Sequence, residues 1–309
     1  MANDRGLPDR MVEWLTDDAL AIFLFHGVIK QQTHQVRNYT GKHIPAGLFS
    51  TCIRRVKESG YPLTMDDVLE YCENAEPFPP RSFAITFDDG FENNVSVALP
   101  IMDDLQIPAM IYITTGFVDE NRMSWIDRIE YAVEAVASHE LKVDWSPKTF
   151  QLSDYESRIQ FLSAVRAYVK NDSDCNVDEY ADKLCAQLGF PDIASSEDPI
   201  DLKLTWRQVR QVDESELFSI GGHSHTHSIL SYLDEQQLAF ELDKSFELLK
   251  NKAGVRSDHY SYPEGLSHCY SSYVISELKK RGVRCCPTAI EGVNRIGADS
   301  FQLNRIMVA

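Results

Sequence analysis

Two short stretches concentrate side chains that can bind a metal or move a proton. The first is Thr86-Phe87-Asp88-Asp89-Gly90. Adjacent carboxylates at a strand end can divide two tasks, one binding a metal and the other holding a water. Taken alone, the same triplet also suits a solvated turn or a helix cap. The second stretch is Gly221-Gly222-His223-Ser224-His225-Thr226-His227, three histidines at alternate positions behind an apolar run. Imidazole is the commonest metal-binding side chain. His223 and His227 are four apart, so a helical turn starting here would set both rings on one face. Two imidazoles and one carboxylate leave a coordination position open, the pattern of a catalytic rather than a structural metal.

These groups need a scaffold that brings distant strand ends together. Residues 19–28 form a continuous apolar run rich in β-branched and aromatic residues, a buried strand, and 45–60 has helical spacing. Residues 82–87 read as a strand ending in the Asp pair, 93–105 as a helix and 109–115 as a strand, an alternation that predicts a parallel sheet. From 118 to 204 the rhythm changes: 124–138, 155–170 and 177–188 have helical spacing, and no strand pattern is visible. The β/α rhythm then resumes, with helices at 206–212, 234–252 and 271–281 and strands at 217–222, 259–262, 283–286 and 302–308. The expected architecture is a distorted, incomplete (β/α) barrel, a single domain over 1–309 with a helical insertion at 118–204. Catalytic groups of such barrels sit at the carboxyl ends of the strands.

Composition narrows the function classes. The chain has 309 residues, 30 basic against 47 acidic, for a net charge of −17. A hydrophobic share of 43% is ordinary for a globular chain. The acidic balance argues against nucleic acid as a partner and against an anionic membrane surface. No apolar stretch approaches the length of a membrane span. The apolar run after Asp17 and Asp18 lacks the basic lead-in and cleavage site of a signal peptide, and the seven cysteines include no CxxC pair. Both features predict a cytoplasmic location.

The TFDDG block followed by GGHSHTH resembles the metal-dependent polysaccharide deacetylases, carbohydrate esterase family four. Phe25-His26-Gly27-Val28, Leu204-Thr205-Trp206, Tyr262-Pro263-Glu264-Gly265 and Leu303-Asn304-Arg305-Ile306 add to the resemblance, which covers about 20–117 and 204–309. It implies that Asp89, His223 and His227 hold one divalent ion, most simply zinc, and that Asp88 is the general base toward a metal-activated water. The backbone N–H of Glu264 would complete an oxyanion hole. The sequence departs from the family pattern at Ser261, where many relatives carry an Arg, and it has no His after His268. Arg305 is the candidate to steer Asp88, and His26 the candidate acid for the leaving amine, with an orienting role as the alternative. His225 should point away from the metal. Trp125 and Tyr262 are candidates for substrate contact, although Trp125 could instead pin the insertion to the barrel; Trp206 reads as a core anchor.

The implied reaction is removal of an N-acetyl group from an N-acetylated sugar or oligosaccharide, at this location a precursor of surface polysaccharide. The alternatives are a hydrolase of another C–N bond, allantoinase- or imidase-like, and a catalytically silent glycan-binding relative.

Overall fold

The computed structural model describes residues 6–171, 175–256 and 258–309. A curved parallel sheet forms its centre. Strands β1 (Ala21–Phe25), β2 (Ser82–Phe87), β3 (Ala109–Ile113), β4 (Phe218–Gly222) and β5 (Ile306–Met307) lie in the order β5-β1-β2-β3-β4. The ring continues past β4 by isolated parallel bridges, Gly222 to Tyr260 and His259 to Cys285. It returns to β5 through Cys286 N–H to Ser300 O and Thr288 N–H to Leu303 O, both 2.8 Å. This is the distorted, incomplete (β/α) barrel expected. The strands expected at 259–262, 283–286 and 302–308 shrink to single bridges and the two residues of β5, because this side of the ring closes through loops.

The sequences AIFLF of β1 and SFAITF of β2 are buried at every position, as parallel strands covered on both faces must be. Alternate residues sort into two layers. Phe23, Phe25, Phe83, Ile85 and Phe87 face the helices, among them Phe49, Ile53 and Val56 of the helix Ala46–Ser59. Ile22, Ala84, Met110 and Tyr112 fill the barrel interior. Each such large side chain contributes about 1.5–3 kcal/mol by leaving water. Register then aligns the strand ends. Phe25 pairs with Phe87, Phe87 with Ile111, and Ile113 with Gly222. The residues that follow β1, β2 and β4 are His26, Asp88 and His223, so all three emerge at one mouth.

The helix expected at 93–105 divides into a π-turn, Asn94–Ala98, and the helix Leu99–Asp104, whose second residue is Pro100. Proline has no N–H to donate, which favours the break. The widened turn points Asn94 Nδ2 at the His26 carbonyl, 2.6 Å away. Among the described residues three helices begin in capping boxes, Thr64 with Asp67, Thr205 with Gln208 and Asp234 with Gln237, a feature of about 1 kcal/mol each.

The insertion holds the helices Trp125–Ala135, Tyr155–Asn171 and Val177–Gln187, packed around a cluster that includes Ile129, Val133, Phe161, Val165 and Leu184. It also holds an antiparallel hairpin, Glu140–Val143 with Ser146–Gln151, which corrects the expectation of a strand-free segment. Only Leu141 of those ten residues is buried. A ribbon that covers one flank needs few apolar residues, and so leaves no alternating pattern to read.

Candidate active site

Asp89, His223 and His227 converge at the barrel mouth. Their donor atoms all lie within 4.8 Å of one another. The Nε2 atoms of His227 and His223 stand 3.4 and 3.7 Å from Asp89 Oδ1. That oxygen is buried and, among the described residues, accepts no hydrogen bond. A buried carboxylate oxygen facing two imidazole nitrogens without a donor fits a cation ligand, and the N,N,O set suits a divalent ion such as zinc.

Local backbone makes this convergence possible, and not by the helical turn expected. Residues 223–229 are irregular. Ser224 and His227 instead adopt left-handed backbone, φ 64° and 65°, as does Asp89 at 75°. Such conformations cost about 1–3 kcal/mol each and persist only where surroundings enforce them. Here the enforcement is visible. One buried carboxylate, Glu241, accepts the N–H groups of His225 and Thr226 through Oε2, both at 2.9 Å, and the Thr226 hydroxyl through Oε1 at 2.6 Å. Ser224 Oγ accepts the His227 N–H at 2.8 Å, and Tyr260 Oη accepts the Ser224 N–H at 2.8 Å. The two glycines before the loop are steric necessities. A Cβ at Gly221 or Gly222 would lie 2.5 Å from the rings of Tyr112 or Tyr260.

His223 Nδ1 stands 2.9 Å from the Ser261 carbonyl. A carbonyl only accepts, so Nδ1 carries the proton and Nε2 turns its lone pair into the space it shares with Asp89 Oδ1. Burial pushes the His223 pKa down to about 4, which keeps the ring neutral. His227 goes the other way: against the same burial, Asp89 holds its pKa above the ordinary imidazole value. His225 points elsewhere, its Nδ1 3.1 Å from Thr115 Oγ1 and its ring edge-on to Phe240.

Asp88 stands beside this set, with Oδ2 3.9 Å from His223 Nε2. Arg305 grips it with a two-pronged fork: Nη1 donates to Oδ1 at 2.8 Å and Nη2 to Oδ2 at 2.7 Å. The guanidinium also donates to Thr288 O at 2.6 Å and Ser261 Oγ at 2.9 Å. Burial alone would raise the Asp88 pKa; Arg305 and His223 bring it below the ordinary carboxylate value. A guanidinium just before β5 thus reaches the carboxylate just after β2, past the intervening β1.

A cavity of about 340 Å³ opens over these groups, lined by His26, Lys42, Trp125, Arg166, Lys170 and Glu264 among others. Burial lowers the His26 pKa. The Glu264 N–H donates to no protein acceptor among the described residues, and its carboxylate accepts Lys170 Nζ at 2.6 Å. Tyr262 is a correction. Its side chain is fully buried, stacked on Tyr270 at 4.5 Å, with Oη donating to Phe301 O at 3.1 Å. It belongs to the core, because its neighbour in the bridge to β4, Tyr260, and Tyr262 itself both point inward. Trp206 is half-buried, packs against the core, and donates Nε1 to Asp119 Oδ1 at 2.7 Å.

Sequence reasoning missed Lys42 and Glu241. Lys42 Nζ lies 3.1 Å from Asp89 Oδ2 and 3.3 Å from both oxygens of Asp127. The only signal for it was a basic residue in the loop after β1. Glu241 sits mid-helix in Glu235–Leu248, and nothing in the heptad-like spacing around it separates it from a solvated acid.

A family model described as polysaccharide deacetylase matches residues 75–286. No curated protein sequence matches the chain. Among solved structures, the Streptococcus pyogenes deacetylase PplD in complex with acetate is 15% identical, with a TM-score of 0.60 over 95% of this chain and 93% of that one. IcaB from Ammonifex degensii is 16% identical, with a TM-score of 0.59 over 95% and 93%. A de-N-acetylase from Aggregatibacter actinomycetemcomitans is 14% identical, with a TM-score of 0.60 over 94% and 95%. At these identities the likeness speaks to the fold.

Proposed function

Because the chain belongs to the polysaccharide deacetylases, and so is a carbohydrate deacetylase, we propose that it is metal-dependent and removes the acetyl group from an N-acetylated sugar of a glycan or glycan precursor. The observation that carries the metal reading is Asp89 Oδ1, buried, without a donor, and faced by the Nε2 atoms of His223 and His227. These three residues would hold one divalent ion, which lowers the pKa of water and polarises the amide carbonyl.

The remaining steps belong to the chain's own groups. Asp88, kept ionised by Arg305, takes a proton from water at Oδ2, the oxygen nearer the His223 ring. The Glu264 N–H stands ready to donate to the tetrahedral oxyanion. The C–N bond breaks, releasing acetate, and the amine nitrogen takes a proton. We assign its delivery to His26. Burial keeps that ring neutral at rest, so in this assignment His26 first takes from Asp88 the proton removed from water and then passes it to the amine, leaving both groups as they began.

Trp125 at the cavity wall offers a face on which a sugar ring can stack. A second cavity of about 430 Å³ shares Trp125, Lys170, His227 and Glu264 with the first, room for a flanking sugar. A cytoplasmic location, and with it a precursor rather than a finished polymer, is part of the proposal. The test is zinc content and acetate release from N-acetylglucosamine oligomers, with and without chelator. Zinc-loaded protein that releases no acetate from any N-acetylated sugar overturns the activity. Chelator-insensitive release overturns the metal, and recovery in a periplasmic fraction overturns the location.

A further inference from the structure

The carboxylate of Asp89 has two oxygens in different company. Oδ1 faces the imidazoles, whereas Oδ2 accepts the Lys42 ammonium at 3.1 Å. Lys42 is itself held on its far side: both Asp127 oxygens lie 3.3 Å from Nζ, and the Phe91 ring centre 4.7 Å. Phe91 is fully buried and carries a second ammonium, Lys203 Nζ, 3.7 Å from its centre and 4.0 Å from Asp127. Asp127 lies in the first turn of the helix Trp125–Ala135, its N–H donating to the capping Ser124 hydroxyl. A chain of contacts therefore runs from the insertion, through a lysine of the loop after β1, to one oxygen of a metal ligand.

Resting on the metal reading above, we propose that Lys42 is a positioning residue that restricts Asp89 to one-oxygen ligation. A free carboxylate can offer a cation one oxygen or both. An ammonium is a compact charge with three donors, and here those donors are divided between Asp127 and Asp89 Oδ2. With Oδ2 engaged, only Oδ1 remains for the ion. Coordination number then stays low, and the position that substrate and water need stays open. The insertion, which supplies Asp127, becomes part of the metal centre's support.

The test uses the full chain loaded with cobalt in place of zinc, whose visible absorption reports coordination number. In Lys42→Met, Oδ2 is released to join the ion, and we expect the absorption to drop by roughly half or more while about one ion per chain is retained. kcat should fall by about 10- to 100-fold with KM nearly held, the usual scale for removing a partner of a metal ligand. Lys42→Arg keeps a donor toward Oδ2 and should return the spectrum toward wild type, which a merely structural role would not predict. Asp127→Asn, which loosens Lys42 without removing it, should move the spectrum in the same direction as Lys42→Met, and it stands in if that variant fails to fold. A folded Lys42→Met with the wild-type spectrum and kcat overturns the role, as does one that loses the metal outright. A wild type that takes up no cobalt overturns the metal reading itself, and this role with it.

Discussion

Removing Arg305 tests the electrostatic logic of the site most directly. Arg305 and Asp88 are 1% and 3% exposed, and the pair makes two direct hydrogen bonds. Arg305→Met keeps apolar bulk and deletes the fork. Breaking a buried pair by removing one partner costs about 3–5 kcal/mol, because a charge is left uncompensated. The carboxylate escapes part of that cost by taking a proton. At 1.36 kcal/mol per tenfold, the full amount corresponds to roughly two to four decades in the protonation equilibrium of Asp88. From a starting value below the ordinary carboxylate pKa, the acidic limb of the pH profile of kcat/KM should therefore move to higher pH, so that protonation alone costs a few-fold at most at neutral pH and about one to two orders of magnitude near pH 5. Stability carries the same signature with a definite sign. In the wild type Asp88 has a depressed folded pKa. Its contribution is present above the unfolded carboxylate pKa and is lost as pH falls through the folded value. In Arg305→Met the folded value lies above the unfolded one. The contribution is then present in acid and is lost as pH rises through that raised value. Acetate release across pH, together with melting temperatures at pH 5 and 8, measures both. A folded variant whose acidic limb stays where the wild type has it would refute the claim that Arg305 keeps Asp88 ionised.

Four further outcomes follow from the same geometry. Asp88→Asn should keep one zinc per chain yet lose about 10²-fold or more in kcat, the scale of general-base loss; near wild-type turnover would remove Asp88 from that role. His223→Ala should lose zinc on dialysis, checked by metal analysis, because one of the three side chains proposed to hold the ion is gone. His26→Gln should slow amide hydrolysis about 10²-fold while leaving 4-nitrophenyl acetate hydrolysis nearly unchanged, since that leaving group needs no proton; equal losses on both substrates would refute the acid assignment. Glu241→Ala leaves three donors of the histidine loop without their acceptor, at about 1–3 kcal/mol for each that stays buried. Both melting temperature and zinc affinity should drop, and an unchanged zinc affinity would show that the loop holds its shape without Glu241.

Much of this centre could be read along the chain because its chemistry is locally encoded. Asp88-Asp89 and His223 to His227 are each contiguous, and each follows an apolar run. Strand β2 matches the expected span, Ser82–Phe87, since a doubly covered parallel strand must be apolar throughout. The place of Arg305 beside Asp88 was also foreseeable, because closing a barrel sets its last strand against its first. Other features depend on where the chain returns in three dimensions. Tyr262 shares a stretch with Glu264, yet one lies in the core and the other at the cavity, and side-chain direction in an irregular segment has no sequence period. The hairpin of the insertion buries too little to leave a pattern. The left-handed turns at Ser224 and His227 are imposed by Glu241 and Tyr260, acceptors that lie 15 to 36 residues away. Lys42, Phe91, Asp127 and Lys203 come from four separate segments, and no spacing links them. Ligand identity is a property of short sequence, whereas burial, charge pairing and the direction in which a carboxylate oxygen faces are set by whatever the fold packs against it.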